Sequence, residues 1–145
     1  MVIVVELKAL ELARPNLDAG ELQRILDLNV PPAFAGTKLR VDESLHAYLI
    51  ATADNAYIKD FFACQGRFYR LLFKWEDHDR DVAIETMHQH HAVLTALLAK
   101  NWSAARKALS HHIRDNHPIL GQVEGLSALS PNSKVQNDPR NNSHE

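Results

Sequence analysis

The stretch from Met87 to Ile113 constrains this chain more than any other. Apolar residues recur at Ala83, Met87, Leu94 and Leu97, three and four apart, which is the period of a helix with one buried face. His90 falls on that stripe. The pattern breaks at Lys100-Asn101 and resumes with Ala105, Leu109 and Ile113, and His112 lies within their arc. Two antiparallel helices pair residues equidistant from their turn, and His90 and His112 each stand eleven residues from Asn101. They are expected at one level of a helical bundle, facing each other. A buried imidazole without a partner is costly, so the pair needs a shared reason. One is a hydrogen-bonded pair of core histidines; the other is a metal ion, for which neutral imidazole is the commonest ligand.

Helical periodicity also organises what precedes the hairpin. Residues 2–13 form a first helix, with Val5, Leu7, Leu10 and Leu12 supplying apolar surface, and Pro15 stops it. Asn16 or Asp18 caps a second helix that runs to about Leu28 on the stripe Leu22, Ile25, Leu26. Pro31-Pro32 to Gly36 is a break. A third helix spans about 38–54 and turns Leu39, Asp42, His46, Leu49 and Ala53 inward. The fourth, from Tyr57 to about Trp75, carries apolar residues on more than one face and reads as the most buried of the bundle. No segment alternates with period two, so the expected fold is all-α: an antiparallel bundle of about six helices within residues 1–120. From Gly121 to Glu145 the chain is too polar to bury a core, and a disordered tail is expected there.

Composition narrows the class. The 145 residues suit one domain, and a hydrophobic fraction of 46% with 23% charged residues is that of an ordinary soluble protein. A net charge of −2 with no basic face gives no nucleic-acid footprint. No apolar run reaches the length of a membrane span. The lone cysteine, Cys64, excludes an intrachain disulfide, fits a reducing cytoplasm, and reads as a small core residue. Nine histidines are the compositional outlier.

Asp42 and His46 lie one helical turn apart, on one side of the third helix and within reach of a common ligand. With His90 and His112 they offer three nitrogens and one carboxylate oxygen from packed helices, a donor set that suits zinc, nickel, iron, manganese or copper and not calcium. Arg67, in the fourth helix, is either a surface arginine lying along the core or a clamp for an anion facing the interior.

The spacing Asp42-x3-His46, followed by His90 and His112 twenty-two residues apart, resembles the FCD domain, the effector-binding domain of FadR-type GntR-family transcription regulators. The matching text is Asp42-Glu-Ser-Leu-His46 and the block from His90 to His112, in which Ala96 and Ala105 also fit. Asn101 replaces an aspartate that caps the helix, and asparagine caps as well. The resemblance covers about residues 3–117. It implies a metal on Asp42, His46, His90 and His112, with zinc first and nickel, manganese or iron as alternatives. It further implies a neighbouring pocket for a small organic acid or sugar acid, and a homodimer; Asn55 and Arg67 are the residues expected to add hydrogen bonds to such an acid. The family's winged-helix DNA-binding domain is expected to be absent, so this chain alone is not expected to bind DNA. The arginine that meets the effector from the family's first helix has no counterpart; Lys8 is the nearest cation.

Two other readings use the same residues. A metal-dependent hydrolase would need a general base near the ligands, for which Glu43 and Glu85 are the nearest carboxylates. A helical interaction module would leave the histidines as hydrogen-bonded core residues.

Overall fold

The computed structural model describes residues 2–31, 41–65 and 79–115. Over these residues the chain is all-α, with no strand among them: α1 (Val2–Ala13), α2 (Ala19–Leu28), α3 (Ser44–Thr52), α4 (56–65), α5 (Arg80–Leu98) and α6 (Trp102–Asp115). Arg67, Leu39, the expected second half of the fourth helix and the expected tail lie outside the described residues.

Local chemistry sets most of the boundaries. Pro15 ends α1 in a 3-10 turn at Arg14–Asn16. Asp18 caps α2, its Oδ1 accepting the Glu21 N–H at 2.8 Å, while its own N–H donates to the Tyr48 hydroxyl at 2.8 Å and ties α2 to α3. Asp79 caps α5 by accepting from Asp81 and Val82. One device closes both α3 and α5. A residue with positive φ, Asp54 (46°) or Lys100 (54°), reverses the chain, and the asparagine after it caps the next helix. Asn55 Oδ1 accepts from Ile58 N–H at 3.1 Å and Asn101 Oδ1 from Ala104 N–H at 3.1 Å. At the second turn Lys100 N–H reaches Leu97 O and Asn101 N–H reaches Ala96 O, the paired bonds of a Schellman ending.

Helix α3 begins later than its periodicity suggests. Residues 41–43 are not helical. Asp42 Oδ1 takes the Ser44 N–H at 2.9 Å, the local competition by which a short acidic side chain delays a helix.

Packing joins α5 to both α2 and α6, and α1 to both α3 and α6. The shared core includes Ala9, Leu10, Leu22, Ile25, Leu45, Leu49, Val93, Leu94, Leu97, Ala105, Leu109 and Ile113. Each large aliphatic side chain buried there contributes about 1.5–3 kcal/mol. The stripes expected for the hairpin are the ones buried: Ala83, Met87, His90, Leu94 and Leu97 on α5, and Ala105, Leu109, His112 and Ile113 on α6. Two expectations for the fourth helix fail over its described part. Only Ile58 and Phe62 are buried there, Tyr57 is 87% exposed, and Cys64 is exposed rather than in the core. Among the described helices, α5 packs against both α2 and α6 and buries Ala83, Thr86, Met87, Gln89, His90, Val93, Leu94 and Leu97. No helix among the described residues is long and apolar enough to cross a membrane.

Candidate metal centre

His46 from α3, His90 from α5 and His112 from α6 converge in the core, with at most 8% of any of them exposed. Their Nε2 atoms form an equilateral triangle: His46 to His90, His46 to His112 and His90 to His112 are each 3.1 Å. Hydrogen bonds cannot account for this triangle. A ring nitrogen either carries a proton or offers a lone pair, never both, so three of them cannot satisfy three mutual contacts.

The other face of each ring decides which nitrogens are protonated. His46 Nδ1 meets the Glu6 carboxylate, His90 Nδ1 donates to Asn29 Oδ1 at 2.9 Å, and His112 Nδ1 donates to Gln89 Oε1 at 2.9 Å. Both amides are oriented by their own N–H groups. Asn29 Nδ2 donates to Ile25 O at 2.8 Å, and Gln89 Nε2 donates to Asp115 Oδ2 at 2.7 Å and Glu85 Oε1 at 3.1 Å. An oxygen therefore faces every Nδ1 and places a proton there, which in a neutral ring leaves Nε2 with a lone pair directed at the other two. Burial holds the pKa of His90 and of His112 well below the ordinary imidazole value. The neighbouring histidines add to it, His112 and then His46 for His90, and His46 and then His111 for His112. Both rings are neutral at pH 7.

Three imidazole Nε2 atoms converging on one point suit an electron-pair acceptor placed between them. A metal at the usual imidazole distance of about 2.0–2.1 Å separates neighbouring ligand nitrogens by about 2.8–3.4 Å, for angles between octahedral and tetrahedral. The 3.1 Å edges fall inside that range. The donor set thus fits a divalent transition metal, and a carboxylate or amide oxygen behind each ring is the support that metal-binding histidines use.

The structure brings together three of the four expected ligands. His46, His90 and His112 form the group whose donor atoms lie within 4.8 Å of one another. Asp42 is half-buried, outside that group, with Oδ1 on the Ser44 N–H. Asn55 is half-buried and caps α4. Lys8 is exposed and pairs with Glu11 at 2.9 Å. Glu43 and Glu85, the carboxylates considered as a general base, are both exposed.

Glu6, Asn29 and Gln89 escaped sequence reasoning. All three sit on apolar stripes: Glu6 with Leu10 and Ala13, Asn29 with Leu22 and Ile25, Gln89 with Thr86 and Val93. A polar residue at a buried register position was the available signal.

A model of the FCD domain family matches residues 1–115. No curated protein and no solved structure matches the chain. That match spans α1 to α6 and includes the three converging histidines with the residues behind them, so the chain belongs to the FCD domain family and is an effector-binding domain of the kind that regulators carry.

Proposed function

We propose that this chain is the sensing domain of a GntR-family, FadR-subfamily bacterial transcription regulator. It acts in the cytoplasm as a homodimer, and binds a divalent metal, zinc first among the candidates, together with a small organic acid or sugar acid. The observation that carries the reading is the triangle of Nε2 lone pairs with 3.1 Å edges. His46, His90 and His112 are the proposed ligands, and Asp42, just ahead of α3, the fourth. A bound metal would act as the Lewis acid that receives the effector's carboxylate. Arg67 and the amide of Asn55 are the proposed hydrogen-bond donors to that acid. Sensing requires that the acid bind two conformations of the domain unequally.

Elemental analysis of the purified chain tests the metal. About one equivalent is expected, abolished in His90→Ala and reduced in Asp42→Ala; metal retained in every ligand variant refutes the assignment. Thermal shift against a panel of carboxylic acids, before and after chelation, tests the sensor. A metal-dependent shift with the acid recovered unchanged is the expected result, whereas turnover of the acid would favour a metalloenzyme.

A further inference from the structure

The three ligand histidines are backed by three different devices. Behind His46 stands a carboxylate, Glu6, which has no donor to offer in place of its oxygen. Behind His90 stands the Asn29 amide, anchored on the backbone carbonyl of Ile25. Behind His112 stands the Gln89 amide, and its orientation depends on side chains alone. One N–H goes to Glu85 and the other to Asp115. Asp115 Oδ2 also meets the exposed His111 Nε2 at 3.2 Å. Glu85 and Asp115 are exposed, and Glu85, His88, Gln89, Ala92, Ala108 and His111 line an open cleft on the outer side of the α5–α6 hairpin. The amide that orients a buried ligand is thus held from the solvent side.

An amide turned by half a revolution exchanges its oxygen for its NH2 group. If Gln89 turned so, it would present a donor to His112 Nδ1, and the ring proton would move to Nε2. That proton would then point into the space between the three Nε2 atoms and block metal uptake there. The two carboxylates oppose this turn by occupying both Gln89 N–H groups as charged acceptors.

We propose that Glu85 and Asp115, acting through Gln89, are positioning residues that lock His112 as its Nδ1–H tautomer and keep the third side of the metal site open. The consequence for metal binding rests on the metal reading above; the tautomer itself does not.

Long-range 1H–15N correlation of the histidine rings in the chelator-treated full chain reads the tautomers directly. In the unsubstituted protein His112 is expected as Nδ1–H. In Glu85→Ala/Asp115→Ala it is expected to shift toward Nε2–H while His46 and His90 stay unchanged, and zinc affinity should fall roughly tenfold. Adding Gln89→Glu to that double variant should restore both, because a carboxylate has no donor face. Each single variant retains one acceptor, is expected to lie between, and serves if the double variant fails to fold. A double variant that keeps the Nδ1–H tautomer and the original zinc affinity overturns the proposal. So does an unsubstituted protein whose His112 is already Nε2–H. Absence of zinc binding in the unsubstituted chain would instead sink the metal reading, with the tautomer measurement still deciding this one.

Discussion

Three ring nitrogens stand 3.1 Å apart, and the fold holds them there because each ring is fixed from behind. The pH dependence of the metal-free protein follows. Below about pH 6.5 an unfolded chain protonates His90 and His112, whereas burial keeps both rings neutral in the folded chain. The unfolded state then binds more protons, so stability falls as pH falls, by up to about 1.4 kcal/mol per pH unit for each histidine. Urea unfolding of chelator-treated protein at pH 7.5 and 5.5 checks the sign; greater stability at the lower pH contradicts it. Glu6→Gln retains an acceptor for His46 Nδ1 and removes a buried negative charge beside the site. Zinc affinity should drop roughly 10–100-fold, read by competition with a chromophoric chelator. Legibility at this scale followed chemistry: His90 and His112 were readable from an apolar stripe because histidine there demands a reason. Glu6 sits on an equally apolar stripe, but a single glutamate in a first helix raises no such demand until α3 is packed against it.

Helix ends were legible where a side chain signals them. Asp18, Asn101 and Pro15 each mark a boundary found in the structure. The start of α3 is not legible in the periodicity, because Asp42 fits the register of an inward stripe and also fits the turn before a helix as an acceptor of the Ser44 N–H. Only the backbone path through 41–43 shows that the helix has not yet begun there. Lys100, at φ 54°, adopts the left-handed conformation at a steric cost that glycine avoids. Lys100→Gly is therefore expected to stabilise the protein by up to about 1 kcal/mol, measured as a higher thermal midpoint; destabilisation would mean the lysine side chain holds something the turn needs. Asn101→Ala should cost about 1 kcal/mol through loss of the α6 cap, and no loss would show that the Ala104 N–H finds water equally well.

At the level of the whole domain the candidate centre draws on five helices: its imidazoles come from α3, α5 and α6, and the groups behind two of them from α1 and α2. A metal bound there stabilises the native arrangement as a whole, by about 4 kcal/mol when present at a thousand times its dissociation constant. Chelation should accordingly lower the thermal midpoint by several degrees or more, reversibly on adding zinc, and a midpoint indifferent to both would remove the centre from the stability of the fold. That the bundle is all-α, and that its last two helices form a hairpin, was plain from periodicity alone. Which helix is covered on two sides was not, because residues facing two neighbours and residues facing one look alike along a single chain. The hairpin's reversal at Lys100-Asn101 has its midpoint at Asn101, eleven residues from both His90 and His112. An α-helix turns about 100° and climbs 1.5 Å with each residue, so inserting or deleting one residue in either arm swings its imidazole off the common axis. Amino-acid identities along those arms have latitude; their count does not, and the loop works as a ruler folded at its midpoint.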